Sequence, residues 1–180
     1  MFSRVIGAVL VAAMAVGQTL PAPHKAAEFD IHAADGRTIE LSGFQGKVVL
    51  LAFIHTTCPH CQQLCQTMNQ LYAQYGAQGF QPVAIAWNDN AEGLAPQFAR
   101  EFHLMYPVGA TDRRTALGYL GISLMDQLAV VPQMVWIDRK GMVRAQTPAD
   151  GDLNMTTEAY IQKMTTTLLA EPAPPHRPSH

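Results

Sequence analysis

The sequence predicts an α/β domain: a mixed central sheet with helices on both faces and an N-terminal β-hairpin extension. Three observations carry this. Apolar runs of strand length alternate with stretches of helical periodicity, the pattern of crossover units and parallel strands. One run, Val48-Val49-Leu50-Leu51-Ala52-Phe53-Ile54, is apolar at every position and so belongs in the centre of a sheet covered on both faces. Two late strands, 130–137 and 142–145, flank the turn Asp138-Arg139-Lys140-Gly141 and add an antiparallel edge.

The chain has 180 residues, a length for one domain plus tails, and 48% of them are hydrophobic, enough for an ordinary core. A net charge of −2 gives no electrostatic footprint for nucleic acid. Charged residues make up only 14%, and no long run of one sign names a partner.

Residues 1–20 read as a signal peptide. Arg4 supplies the positive start, residues 5–16 are apolar, and the small residues Ala15 and Gly17 precede a cut near Gln18. The alternative is an uncleaved anchor, but a spanning helix needs about 20 apolar residues, and Gln18, Thr19 and Pro21 stop the run early. The expected location is periplasmic or otherwise exported, or membrane-anchored facing the same compartment.

Residues 21–27 are expected to be a flexible linker, 28–170 the folded domain and 171–180 a Pro-rich disordered tail. Within the domain, 29–31 and 37–41 flank Ala34-Asp35-Gly36, a hairpin signal of the Asp-Gly type. A loop over 42–47 leads into the apolar strand 48–54. Pro59 suits the first turn of a helix, which Leu64, Met68, Leu71, Tyr72 and Tyr75 continue at helical spacing to about residue 78, where Gly79 ends it. A strand over 80–87 and an Asn88-Asp89-Asn90 loop follow. A helix over 94–102, a short strand near 106–108 and a helix over 111–120 with Asp112 near its start come next. The strand 130–137 begins at a proline, and residues 153–169 form the closing helix. There are no internal repeats.

The three cysteines, Cys58, Cys61 and Cys65, fall together after the apolar strand, unlike the dispersed framework of a disulfide-braced domain. In Cys58-Pro59-His60-Cys61 the spacing puts two sulfurs within reach of one disulfide at the first turn of a helix. Unpaired N–H groups and the helix dipole there favour a thiolate at Cys58, and a protonated His60 adds to that. The Cys58 thiolate attacks a substrate disulfide and Cys61 resolves the mixed disulfide. A zinc site could draw on the three cysteines and a histidine, but three ligands in two helical turns is an awkward geometry. A structural disulfide closing so small a loop adds little chain-entropy stabilisation. The strand–Cys-x-x-Cys–helix context favours redox chemistry over both.

The segment 48–61, together with Val131-Pro132, resembles thioredoxin-like proteins, and within them the exported redoxin group around TlpA and ResA, in the AhpC/TSA–redoxin superfamily. The resemblance covers roughly residues 28–169. It also rests on the Asp-Gly hairpin, on Gly46-Lys47-Val48-Val49-Leu50 and on Trp136-Ile137-Asp138-Arg139-Lys140-Gly141. It implies a thioredoxin-like fold and a thiol–disulfide oxidoreductase acting on cysteine pairs of exported proteins, fed by a membrane or thiol electron donor. It also implies a cis Pro132 and a Val131 that hydrogen-bonds the substrate chain. Pro59, His60, Val131 and Pro132 are then the substrate-binding residues, and no organic cofactor or metal is implied.

The departures from that pattern bear on mechanism. Ala52 stands where thioredoxin has a buried acid, Leu64 where the ResA-like group often has a glutamate, and Thr57 where a tryptophan is usual. No carboxylate is therefore expected beside Cys61. The Pro59-His60 dipeptide is that of the oxidase DsbA, yet the wider resemblance favours a reductase. His55 occupies the position of a peroxiredoxin threonine, which disfavours the alternative of a thiol peroxidase. Cys61 and Cys65 have the Cys-x3-Cys spacing of the copper-delivering Sco proteins, and thiolates select Cu(I). A Sco-like metallochaperone also needs a distal histidine, for which only His103 stands late in the folded region. Otherwise Cys65 is a small core residue or a third redox partner, His55 caps the sheet edge or else faces the active site, and Trp87, Asn88 and Asp89 shape a groove.

Overall fold

The computed structural model describes residues 23–33, 36–125 and 129–173. Its centre is β4 (Val48–Ile54), buried at every residue as a run without polar positions requires. It pairs in parallel with β5 (Phe80–Ala86) along its whole length and antiparallel with β7 (Gln133–Ile137) on its other side. Beyond β7 lie β8 (Met142–Gln146) and β1 (His24–Lys25); beyond β5 lie β6 (Val108–Ala110), β2 (Asp30–Ala33) and β3 (Thr38–Glu40). The eight strands run β1-β8-β7-β4-β5-β6-β2-β3 in one mixed sheet, with the β2–β3 hairpin on the β6 edge.

Alternate residues of β4 feed two cores. Val48, Leu50, Ala52 and Ile54 pack with α1 (Pro59–Tyr75), α2 (Ala91–Glu101) and α4 (Glu158–Ala170). Val49, Leu51 and Phe53 pack with α3 (Arg113–Leu120) and with Phe29 and Ile31 of the N-terminal segment. The expected α/β architecture, with helices on both faces and a hairpin extension, is the observed one. It is a thioredoxin-like fold.

Element limits differ where local polar chemistry intervenes. The last helix begins at Glu158 rather than near 153. Asp152 Oδ1 accepts from Asn154 N–H at 2.8 Å, and the Thr156 and Thr157 hydroxyls donate to the carbonyls of Leu153 and Asn154. Such side-chain bonds offer the backbone turns instead of a helix, and Thr157 then caps α4 by accepting from Tyr160 N–H. β6 starts at Val108, not 106, because Pro107 has no N–H to give a ladder. β7 starts at Gln133 for the same reason, one residue after Pro132. α2 begins at Ala91, earlier than expected, directly after Asn90 in a left-handed conformation (φ 57°).

Within the segment expected to be a linker, His24 and Lys25 pair with Val143 and Met142 of β8. The expected signal peptide (1–20), Ala34 and Asp35 of the hairpin turn, and residues 174–180 of the tail lie outside the described residues. Among the described residues, no helix is long and apolar enough to cross a membrane.

Candidate active site

β4 ends at Ile54 and releases a short loop, residues 55–57, before α1 begins at Pro59. Cys58 is the N-cap, with extended backbone (φ −83°, ψ 119°), and Pro59 is the first helical residue. Cys58 N–H donates to the His55 carbonyl at 3.1 Å, and the Cys58 carbonyl starts the helix by accepting from Gln62 N–H at 3.0 Å. This sets the Cys58 sulfur at the end of α1 that carries unpaired N–H groups.

The cysteines carry free thiols in three settings. Cys58 is half-buried, whereas Cys61 and Cys65 are wholly buried. Burial pushes the Cys61 thiol well above the ordinary thiol range; a backbone hydrogen bond from His55 opposes this, and hydrogen bonding with the Cys58 sulfur adds to it. The two cysteines thus lie close together. Burial also raises the Cys65 thiol, to about 12, with the nearby Tyr106 hydroxyl acting the other way. The Tyr106 hydroxyl donates to the Cys65 carbonyl at 3.0 Å, so α1 is tied to the residue preceding Pro107. Ala52 and Leu64 are core residues, and the Cys61 thiol is governed by its burial, with His55, Cys58 and Cys65 acting on it in turn.

The loop is clamped from the turn after β5 and from α1. Asn88 Oδ1 accepts from Thr56 N–H at 2.9 Å and from its hydroxyl at 3.3 Å, and Gln62 Nε2 donates to the Thr56 carbonyl at 3.0 Å. The His55 ring sits edge-on to Trp87, centroids 4.6 Å apart, with the Arg113 guanidinium over the indole at 5.4 Å. Burial, then the Arg113 charge, holds the imidazole below its usual range, while Asp89 works against them. Its Nε2 is buried without a hydrogen-bond partner among the described residues. Trp87 is buried and serves as a wall for His55, so of the three residues expected to shape a groove, Asn88 is the one bonded to the loop.

Pro59 and His60 are exposed at the start of α1. The Val131–Pro132 bond is cis. Gln133, the next residue, lies opposite Phe53 in the sheet, so Pro132 and Val131 fall at the end of β4 from which the cysteine loop springs. Val131 is half-buried and touches both cores, and Pro132 is buried. Among the described residues, no three His, Cys, Asp or Glu side chains gather to hold a metal, and His103 is an exposed residue after α2. Tyr106, Gln62 and Gln133 carry structural roles here that spacing along the chain does not announce.

A strand delivering a half-exposed and a buried thiol to one helix start, beside a cis-proline, is an arrangement suited to thiol–disulfide exchange. The sequence profile of the AhpC/TSA family matches residues 22–146.

The chain belongs to the AhpC/TSA family.

Thiol-disulfide oxidoreductase ResA of Bacillus cereus is 30% identical over 141 residues, 78% of this chain and 77% of that protein. The ResA protein of Geobacillus thermodenitrificans is 29% identical over 132 residues, 73% and 68% of the two chains. Among solved structures, a protein described as thiol:disulfide interchange protein DsbE, from Chlorobium tepidum, superposes with TM-score 0.68 at 28% identity, covering 84% of this chain and all of that one. A second thioredoxin family protein from the same organism, at 23% identity, shares the fold with TM-score 0.67 over 83% of this chain and 99% of its own. This AhpC/TSA member is an enzyme of the thiol–disulfide oxidoreductase class.

Proposed function

We propose that the protein is an exported reductase of cysteine pairs in other exported proteins, with Cys58 as nucleophile and Cys61 as resolving thiol. The carrying observation is the asymmetry of the pair: Cys58 is reachable at the helix start, and Cys61 is buried and held as a thiol close to it. The Cys58 thiolate attacks one sulfur of the substrate disulfide and expels the other as a thiolate, which takes up a proton. Cys61 then loses its proton and attacks Cys58 Sγ, releasing the second substrate thiol. The balance is two electrons and two protons passed to the substrate, leaving a Cys58–Cys61 disulfide. A thiol or membrane electron donor must reduce that bond again.

Val131 and Pro132, beside the loop, are the docking edge for the substrate chain, with Pro59 and His60 on its rim. The buried surroundings of Cys61 favour the reducing direction, because burial outweighs the His55 backbone hydrogen bond and disfavours its thiolate, so the dithiol gives up its protons only to a leaving thiolate. Equilibration of the mature protein with glutathione tests this. A potential near that of thioredoxin, roughly −270 mV, is expected; one near that of DsbA, about −120 mV, sinks the reducing assignment in favour of oxidation.

A further inference from the structure

Gln133 is a buried polar side chain, 0% exposed, directly after the cis-proline. Its Nε2 donates to three backbone carbonyls: Val130 at 3.1 Å, Pro148 at 3.0 Å and Ala149 at 3.3 Å. Its Oε1 is buried and has no hydrogen-bond partner among the described residues. The carboxamide is therefore oriented wholly by its donor half, since the reverse placement would aim an oxygen at three oxygens. A buried amide that spreads its two N–H donors over three carbonyls while leaving its own acceptor orphaned bears a cost of its own, and what it secures is two loops meeting beside the cysteine pair.

One of the three carbonyls belongs to Val130. Val130 N–H also points inward, donating to the Ala149 carbonyl at 3.1 Å. A planar trans peptide sets its oxygen and the following N–H on opposite sides. With the Val130 oxygen drawn in toward Gln133, the N–H of Val131 faces outward, at the end of β4 from which Cys58 emerges. We infer that Gln133 is the positioning residue of the substrate-docking edge: its carboxamide fixes the Val130–Val131 peptide so that Val131 N–H is presented to a carbonyl of an extended substrate main chain next to the reacting cysteine. This rests on Val131 being the docking edge in the reading above.

The partner so recognised is polypeptide backbone, which a small disulfide lacks. The variant Gln133→Met keeps the side chain's length and removes its donor. Its KM for insulin disulfides is expected to rise about tenfold, the worth of one well-placed hydrogen bond. Its rate with hydroxyethyl disulfide and its thiol–disulfide equilibrium constant with glutathione are expected to stay within about twofold of the parent, well under a tenfold step. Equal loss with both disulfides, or no loss with insulin, overturns the inference. Failure of the parent protein to reduce either disulfide instead overturns the proposed function.

Amide exchange in the protein with Gln133 intact gives an independent reading. Val131 N–H should exchange freely in the free enzyme and slow by about tenfold or more when Cys61→Ser holds a cysteine peptide as the mixed disulfide on Cys58. Protection of Val131 before capture, or none after it, defeats the assignment.

Discussion

Cys58 and Cys61 sit one helical turn apart, yet the fold leaves one of them half-exposed and seals the other in the core that β4, α1, α2 and α4 share. Cys65 continues the sealed face, under the Tyr106 hydroxyl. Reactivity follows thiolate character and access, so one equivalent of iodoacetamide should enter the reduced native protein at neutral pH, at Cys58. Label on Cys65 should appear only after unfolding; mass mapping that finds Cys65 alkylated in folded protein would contradict its burial. The pair itself was legible because its chemistry is written in adjacent residues, Cys58-Pro59-His60-Cys61, and the strand and helix that frame it are strongly patterned. The partners that hold it were not. Tyr106 reaches Cys65 from 41 residues away, and Asn88 reaches Thr56 from 32. Gln133 reads in sequence as one polar residue at a strand start; its importance is visible only once Pro148 and Ala149 fold back beside it.

Among the elements, the strongly periodic ones were readable and the short ones were displaced by specific residues. β4 and α1 lie where their apolar patterns put them. β6 was shifted by Pro107, and the start of α4 by the hydroxyl and carboxylate bonds of residues 152–157. The join between β6 and the N-terminal hairpin depends on Gly109. A Cβ there would lie 2.5 Å from Ile31 Cγ2 and 2.8 Å from the His32 carbonyl oxygen, so β2 could not approach. Because Ile31 is wholly buried and cannot simply swing aside, Gly109→Ala should cost about 1–3 kcal/mol. Urea unfolding measures this; an unchanged midpoint would mean that the hairpin relaxes away without loss.

For the molecule as a whole, buried acids set the response to alkali. Burial raises the Cys65 thiol from its ordinary 9.0 to about 12, and burial also raises Cys61 and Tyr106. Between those two values the folded protein keeps the Cys65 proton while the unfolded chain has lost it, so the folded state binds more protons and stability falls as pH rises. Cys65 contributes fully below pH 9 and loses its contribution toward pH 12. Chemical denaturation across that window should show the parent losing more stability than Cys65→Ala; parallel curves would mean that Cys65 titrates alike in both states.

The two N-terminal strands clasp opposite margins of the sheet. β1 waits for Met142 and Val143, while β2 waits for Gly109 and Ala110. A polypeptide emerging N-terminus first from a ribosome thus carries β1 unpaired, and the β2–β3 hairpin undocked, until their later partners have followed. Loop closure over so many residues is slow, and the margins close last. Meanwhile the sheet cannot be completed by a half-delivered chain.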